Sequence, residues 1–369
     1  MAKDWYTIQD VGTLDSPALV IFPERVKANI QLAISMVGDV SRLRPHVKTN
    51  KSADAIHLMI AAGINKFKCA TIAEAELLGM CGAKDVLLAY QPKGPKLERF
   101  IQVIKKYDTT DFGCITDNLS IAKELSKAFA VKGLTIRVYI DLNVGMNRTG
   151  IPPGDAAIEL YIFLSSAPGI KAAGLHAYDG HVRDVDINAR TKICNEAFLQ
   201  VGEMKDVLEK KGLPVPVIIA GGSPTFPIHA KRKEVECSPG TFIYWDKGYM
   251  DVCPEQTFLP AAVLITRIVS LPAGKVCTDL GHKSVAAENE ITRRIYFLNT
   301  TGLQPVSQSE EHLVLEVSSN HSLKEGDILY GLPWHVCPTI ALYERAYTIE
   351  NGKISGEWRN TARDRKITL

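Results

Sequence analysis

The sequence has no long apolar run, no excess of charge of one sign and no Cys-x-x-Cys motif. Lys and Arg number 43 and Asp and Glu 41 among 369 residues, which gives a formal net charge of +2. A nearly neutral chain lacks the electrostatic footprint expected for binding nucleic acid or an anionic membrane. No apolar run approaches the ~20 residues that cross a bilayer. Residues 1–5 lack the apolar core of a signal peptide.

The eight cysteines are scattered, and most of them lie within apolar runs. This distribution predicts small core side chains in a reducing, cytoplasmic compartment rather than a disulfide framework. Hydrophobic residues make up 46% of the chain and charged residues 23%, which is typical of a folded globular protein. At roughly 150 residues per domain, the length favours about two domains.

Short β-type runs alternate with amphipathic helical stretches from about residue 24. This alternation predicts βαβ units and a parallel sheet, and eight strands predict a (β/α)8 TIM-type barrel. A doubly wound sheet is the alternative, but no Gly-x-Gly-x-x-Gly follows the first strand. The predicted strands lie at Leu43 and at residues 67–70, 86–89, 112–115, 136–141, 170–177, 217–220 and 235–237.

The pattern changes after Pro260, where short strands follow one another without long helices. Asn351-Gly352 stands between alternating residues, which is a strong hairpin signal. The sequence therefore predicts a barrel over residues 23–255 and a β domain from 256–369. Residues 1–22, with an apolar run at 17–21, are assigned to the same β domain.

Lys48 is the first candidate for chemistry. It follows the Leu43 run within Arg-Pro-His-Val-Lys, at the carboxyl end of a strand, where barrels build their active sites. A lysine that is desolvated at such a position can form a Schiff base. The alternative is an ordinary basic surface loop.

Two glycine-containing loops follow the seventh and eighth predicted strands, at residues 221–225 and 238–241. Barrels often bind phosphate there, through backbone N–H groups that glycine leaves accessible. A glycine-rich turn alone is weak evidence, but two adjacent ones favour a phosphate site.

Three further candidates stand in other segments. His335 and Cys337 are two residues apart, so an extended backbone would present imidazole and thiolate to one metal ion, favouring Zn²⁺. His181 is a candidate general base, and Arg148 is a candidate partner for an anionic oxygen. Each has a simpler interpretation: packed side chains, a loop histidine and a solvated arginine.

Taken together, these motifs resemble the fold-type III pyridoxal-phosphate enzymes, specifically the D-threonine aldolase / D-serine dehydratase family. The resemblance runs through nearly the whole chain and rests on the order of the motifs. They lie at residues 14–20, 44–48, 145–150, 178–181, 221–223, 239–241, 279–283 and at the His335/Cys337 pair.

The resemblance implies a role for each matching residue. Lys48 would form the Schiff base with pyridoxal 5'-phosphate, and His181 would act as base on the substrate's β-hydroxyl. His335 and Cys337 would bind a divalent metal, Zn or Mn, that contacts this hydroxyl. The other implied cofactor contacts are Arg148 to the phenolic oxygen, Tyr178 near the ring, and Gly221, Gly222, Ser223, Thr225, Gly240 and Thr241 around the phosphate.

The implied reaction is cleavage of D-β-hydroxy-α-amino acids to glycine and an aldehyde, by a homodimer. Cys337 keeps a dehydratase open as the alternative, because dehydratases of this family often have cysteine where aldolases have aspartate. An amino-acid racemase that uses two bases and no metal is the third possibility.

Overall fold

A computed structural model describes residues 4–317 and 321–369. Seven parallel strands form one sheet, in which each strand follows a helix and pairs with the next strand in chain order. The segment 43–46 closes this sheet into a barrel. Arg44 donates its backbone N–H to the Cys237 carbonyl at 2.9 Å, and the Lys68 N–H bonds to the Pro45 carbonyl at 2.8 Å. The predicted (β/α)8 barrel is therefore confirmed. Its strands are β2 (Lys66–Cys69), β3 (Asp85–Leu88), β4 (Asp111–Thr116), β5 (Ile136–Leu142), β6 (Ile170–Ala177), β7 (Val217–Ala220) and β8 (Val235–Cys237).

Several helices around the barrel begin after a polar residue whose side chain accepts a free backbone N–H group of the first turn. Thr71 Oγ1 accepts the N–H of Glu74 at 3.1 Å, and Asn118 Oδ1 accepts that of Ser120 at 2.8 Å. No helix in the described residues combines the length and apolar character needed to cross a bilayer. The helices of this part are α1 (Pro23–Val37), α2 (Ala53–Ala61), α3 (Ile72–Met80), α4 (Pro95–Lys106), α5 (Leu119–Val131), α6 (Asp155–Ser166), α7 (Ile187–Lys210), α8 (Phe226–His229) and α9 (Lys247–Val252).

An ionic network holds the strands together inside the barrel, at the end away from Lys48. Arg44, 1% exposed, bonds to Asp85 at 2.5 Å and to Glu236 at 2.7 Å. Arg137 bonds to the same Asp85 at 2.7 Å. Burial alone would raise the pKa of Asp85, but the two guanidiniums outweigh burial and hold it well below its usual value. The arginine of the Arg-Pro-His-Val-Lys motif therefore has a structural role here.

The second sheet contains nine strands and is mainly antiparallel. The opening strand β1 pairs antiparallel with β9 and parallel with β15, so the N-terminal segment lies within this sheet. The strands are β1 (Ala18–Ile21), β9 (Ala262–Ser270), β10 (Lys275–Thr278), β11 (Ile295–Phe297), β12 (Gln304–Gln308), β13 (Leu313–Glu316), β14 (Ile328–Pro333), β15 (Arg345–Glu350) and β16 (Lys353–Arg359).

Two local features of this sheet bear on the sequence expectations. Asn351 and Gly352 have φ of +52° and +72° and join β15 to β16, as the hairpin signal predicted. The expectation of an extended backbone through His335 and Cys337 is wrong, because His335 is the N-cap residue of a helix, α10 (Val336–Leu342), and Cys337 lies within it. Pro338 lies in the first turn of this helix, where a missing N–H costs no hydrogen bond.

Candidate active site

A cavity of about 610 Å³ opens at the carboxyl ends of the barrel strands. Three residues singled out from the sequence, Lys48, Arg148 and Tyr178, line it. The Arg148 guanidinium lies 5.0 Å from the centroid of the Tyr178 ring. The cavity thus combines an amine, a guanidinium and an aromatic face at the position where barrels place their active sites.

A buried pair, Asp141 and His176, forms another part of the cavity wall. Their Oδ1 and Nδ1 atoms are 2.7 Å apart, and Thr149 donates its hydroxyl to Asp141 Oδ2 at 2.8 Å. Burial alone would raise the pKa of Asp141, but its bond to His176 outweighs burial and lowers it. The sequence analysis assigned no role to this pair, since its members come from separate strands.

The two glycine-containing loops meet beside this cavity. The Ser223 hydroxyl accepts the backbone N–H groups of Gly240 and Thr241 at 3.4 and 3.2 Å. Gly221 has φ of +81°, and a Cβ there would lie 2.7 Å from the His229 ring, so this position requires glycine. A Cβ on Gly222 would lie 3.0 Å from the Tyr178 ring. The loops therefore adjoin one another and Tyr178.

A buried hydrogen-bond network supports the first of these loops. Asp179 accepts a bond from the Thr225 hydroxyl at 2.7 Å and lies 2.8 Å from His229 Nε2. Cys194 completes a group of three possible metal ligands whose donor atoms lie within 4.8 Å of one another. However, Arg232 lies 2.9 Å from the other ring nitrogen of His229, and burial raises the pKa of the Cys194 thiol to about 12. A nearby guanidinium and a protonated thiol favour a network without a metal.

His335 and Cys337 lie next to each other, and Cys337 reaches the barrel. Its sulfur is 3.1 Å from Thr49 Oγ1 and 3.6 Å from Thr241 Oγ1. Burial alone raises the pKa of the Cys337 thiol, but the hydrogen bond to His335 and the charge of Lys48 outweigh burial and lower it. The thiolate, which is the form that binds metals, is thereby favoured.

Two carboxylates that sequence reasoning missed hold this pair in position. Glu288 Oε1 lies 2.5 Å from His335 Nδ1, which leaves Nε2 free to bind a metal. Asp246 is buried, and its Oδ2 accepts the N–H of Val336 at 3.0 Å. No motif or periodicity marks either residue in the sequence.

His181 lies outside the cavity lining. Its side chain is exposed, and its ring packs against Gly145, where a Cβ would be 2.5 Å from His181 Nε2. Gly145 belongs to the loop that carries Arg148, so His181 borders the site through that loop. The structure brings together the other sequence-predicted residues and leaves His181 at the edge.

The residues present fit pyridoxal phosphate. Lys48 supplies an amine in the cavity, and the two glycine loops, joined by the bond from the Thr241 N–H to Ser223, lie beside Tyr178 in its wall. Ser238, 3% exposed at the end of β8, has a hydroxyl with no hydrogen-bond partner among the described residues. Buried polar groups normally have partners, so this hydroxyl is available to a ligand.

Comparisons with known proteins indicate the same group of enzymes. The family model described as "Alanine racemase, N-terminal domain" matches residues 21–247, and the "Putative serine dehydratase domain" matches residues 261–349. The 3-hydroxy-D-aspartate aldolase of Paracoccus denitrificans (strain Pd 1222) is 25% identical over 373 residues, which cover 96% of this chain and 93% of the relative. The crystal structure of D-threonine aldolase from Filomicrobium marinum matches with a TM-score of 0.88 and 26% identity over 96% of each chain.

A dehydratase is also among the relatives. The D-threo-3-hydroxyaspartate dehydratase of Delftia sp. (strain HT23) is 27% identical over 239 residues, which cover 63% of this chain and 62% of the relative. The structure of a D-threo-3-hydroxyaspartate dehydratase with a cysteine-to-alanine change, in the metal-free form, matches with a TM-score of 0.80 at 22% identity over 95% of this chain and 98% of that chain. Since the racemase-type family model covers more than half of the chain, the protein belongs to the alanine racemase-like, fold-type III family of pyridoxal-phosphate enzymes, with D-threonine aldolase and the hydroxyaspartate aldolases and dehydratases as relatives.

Proposed function

We propose that this chain is a pyridoxal-phosphate-dependent, metal-assisted lyase that cleaves D-β-hydroxy-α-amino acids to glycine and an aldehyde. The observation that carries the proposal is the position of Cys337, whose sulfur contacts both Thr49, next to Lys48, and Thr241. The candidate Schiff-base lysine, phosphate loop and metal pair thereby converge, although they are far apart in the chain. The relatives that are aldolases support the same reaction class.

In this proposal Lys48 holds the cofactor's aldehyde carbon and Arg148 binds its phenolic oxygen. Tyr178 packs near the ring, because it lines the cavity between Arg148 and the glycine loops. Bound pyridoxal phosphate supplies an electron sink for the electrons released at Cα. The phosphate contacts are proposed to be Gly221, Gly222, Ser223, Thr225, Gly240 and Thr241.

His335 and Cys337 are proposed to hold a divalent metal, Zn or Mn, with one nitrogen and one sulfur ligand. This donor set favours Zn²⁺ over hard cations. The bond from His335 Nδ1 to Glu288 supports the assignment, since metal-binding histidines usually donate their other N–H to such a group. The hydrogen bonds of Asp179, Cys194 and His229 favour a supporting role for that group instead.

His181 is proposed to accept the proton of the substrate's β-hydroxyl, which must leave as the Cα–Cβ bond breaks. Its support is the contact with Gly145, which lies three residues from Arg148 on the same loop. Lys48, the other proposed catalytic residue, already lines the cavity.

A dehydratase is the second candidate, and Cys337 is the observation that favours it. The relative from Delftia is a dehydratase, and a cysteine-to-alanine mutant of a D-threo-3-hydroxyaspartate dehydratase is described in a metal-free form. Dehydration would release the Cα proton, with Lys48 as its acceptor, and expel the β-hydroxyl. The same residues would thus catalyse dehydration instead of Cα–Cβ cleavage.

We also propose the organisation expected from the sequence. Residues 23–255 would form the cofactor-binding domain, and residues 1–22 with 256–369 the β domain that carries the metal pair. A homodimer in the cytoplasm, acting on a small D-amino acid, is proposed from the family resemblance and the free cysteines.

Product analysis with D-threonine tests the reaction. Glycine plus acetaldehyde supports the aldolase, whereas ammonia plus 2-oxobutanoate indicates the dehydratase. L-Threonine or L-allo-threonine alone would reject both and leave a racemase or epimerase. His181→Ala should lose ~10²–10⁴-fold in cleavage rate while it keeps cofactor and metal.

Borohydride reduction tests the lysine. The reduced protein should lose its yellow colour and carry the label on Lys48. Lys51 is the matched control, since it lies three residues on but is bonded to the buried Glu74. A label on Lys51, or a coloured Lys48→Ala protein, would contradict the assignment.

A further inference from the structure

A second lysine faces the cavity and has no role in the mechanism above. Lys68 lies in β2, is 2% exposed and lines the cavity together with Lys48. Its Nζ atom is 5.7 Å from the centroid of the Tyr178 ring. A lysine is almost never buried so completely unless it is paired.

No such partner exists in the described part of the chain. No carboxylate oxygen lies within 4.0 Å of Lys68 Nζ, and no hydrogen bond to this atom is formed. The charged groups that act on it are Lys48 and Arg44, which repel its charge, and Asp141 and Asp179, which attract it. Both carboxylates are already engaged, Asp141 by a histidine and a threonine and Asp179 likewise.

The positive charge of Lys68 is therefore unfavourable in the protein without a ligand. Burial, followed by the charge of Lys48, lowers the pKa of Lys68 from 10.5 to about 7. An uncompensated buried cation is destabilising, and such perturbed groups in clefts are candidates for function. A ligand that brings a negative charge to Lys68 would remove this penalty.

We propose that the Lys68 ammonium binds an anionic oxygen that arrives with the ligand of this cavity. The inference rests on the proposed function, because it takes the cavity to hold pyridoxal phosphate and an amino acid. The phosphate is proposed to bind at the glycine loops, where the Ser238 hydroxyl has no partner among the described residues. The anionic oxygen is therefore either the cofactor's phenolic oxygen or a carboxylate of the substrate.

The position of Arg148 supports this reading. Its guanidinium is 5.0 Å from the Tyr178 centroid, and Lys68 Nζ is 5.7 Å from the same point. Both cations thus lie beside the same ring and line the same cavity. Arg148 can form two parallel bonds to one group, whereas Lys68 is a point charge that suits a single oxygen.

The test uses purified holoenzyme with Lys68→Met, Lys68→Gln and Lys68→Arg. Lys105→Met, which removes an exposed lysine of α4, controls for net charge. Folding is checked by circular dichroism, and the Gln variant serves if the Met variant does not fold. Two quantities are measured: the pH midpoint of the bound cofactor's visible absorbance without substrate, and the steady-state constants for D-threonine.

Either of two results supports the inference and identifies the source of the oxygen. A midpoint that rises by one pH unit or more without the cation, and returns in Lys68→Arg, assigns the phenolic oxygen. An unchanged midpoint with a KM at least tenfold higher, a kcat within threefold and rescue by Lys68→Arg assigns the substrate carboxylate.

Two other results overturn it. Folded Lys68 variants that match Lys105→Met in both measurements refute the inference alone. A wild-type protein that takes up no pyridoxal phosphate refutes the proposed function together with the inference. The failure of each is therefore distinguishable.

Discussion

Lys68→Met should stabilise the cofactor-free protein at neutral pH, although it removes a charged residue from the site. The pKa of Lys68 falls from 10.5 to about 7 on burial. At about 1.4 kcal/mol per pKa unit, this shift corresponds to a penalty of about 4–5 kcal/mol at pH 7. A methionine of similar length leaves no charge to desolvate, so the variant escapes this penalty.

The pH dependence gives the sign of the effect. Because the folded-state pKa is depressed, the unfolded chain binds more protons than the folded one between pH 7 and 10.5. Wild-type stability therefore rises relative to Lys68→Met as the pH rises through this window. The penalty is fully present below pH 7, and between pH 7 and 9 the difference between the two proteins should narrow by about 2 kcal/mol.

Urea unfolding followed by tryptophan fluorescence measures this difference at several pH values. Lys105→Met, an exposed control, should show no comparable change with pH because its lysine is solvated in both states. A difference that stays constant from pH 7 to 9 would refute the reasoning. So would a Lys68→Met protein that is less stable than wild type at pH 7, since packing would then outweigh the charge.

Three further predictions concern the barrel, the proposed phosphate loop and the proposed metal site. Gly174→Ala should lower the free energy of unfolding in urea by about 3 kcal/mol or more, because φ is +136° and the new Cβ would lie 1.9 Å from a backbone oxygen. The control Gly202→Ala, which has open space around it in α7, should raise the free energy of unfolding by about 1 kcal/mol. Asp179→Asn should weaken pyridoxal-phosphate binding about tenfold in equilibrium dialysis, since the negative charge and one of the two acceptor oxygens that hold Thr225 and His229 are lost. Unchanged binding would contradict this. Chelation, or the substitution Cys337→Ala, should remove the metal, as measured by atomic absorption, and should abolish activity. The absorbance of the bound cofactor should remain. Full activity in metal-free protein would contradict the assignment.

The barrel could be predicted because its local and long-range requirements agree. Short apolar strands alternate with amphipathic helices, and even the single residue Leu43 marks the segment that closes the sheet. Lys48 lies at the cavity because the carboxyl end of any barrel strand faces the same mouth. Topology alone therefore brings side chains together that are distant in the sequence.

Lys68 could not be found in this way. Lys66 and Lys68 alternate with the apolar Phe67 and Cys69, and such alternation indicates a strand with one solvated face. In the barrel, Phe67 and Cys69 belong to the main core cluster, while Lys66 pairs with the buried Glu236 and Lys68 lines the cavity. The polar face of this strand is thus the interior of the barrel, which periodicity cannot distinguish from a surface.

His335 and Cys337, the proposed metal ligands, lie side by side although the backbone geometry expected for them is wrong. Extended backbone was expected to align His335 and Cys337, but the chain turns into α10 immediately after His335. The two side chains still meet, because Asp246 accepts the N–H of Val336 and fixes the start of the helix against the barrel. Such a tertiary contact has no signature in the local sequence.

The charged groups at the two ends of the barrel interior differ in whether they are paired. At one end, Arg44 and Arg137 share Asp85 and every charge has a partner, so the network is closed and serves stability. At the other end, Lys48 and Lys68 lie near one another, and neither forms an ion pair with a carboxylate of residues 4–317 or 321–369, so their charges destabilise the fold. A protein retains such an imbalance where a ligand completes it. The excess of positive charge at the cavity therefore favours an anionic ligand, with more negative charge than the proposed phosphate loops alone would neutralise.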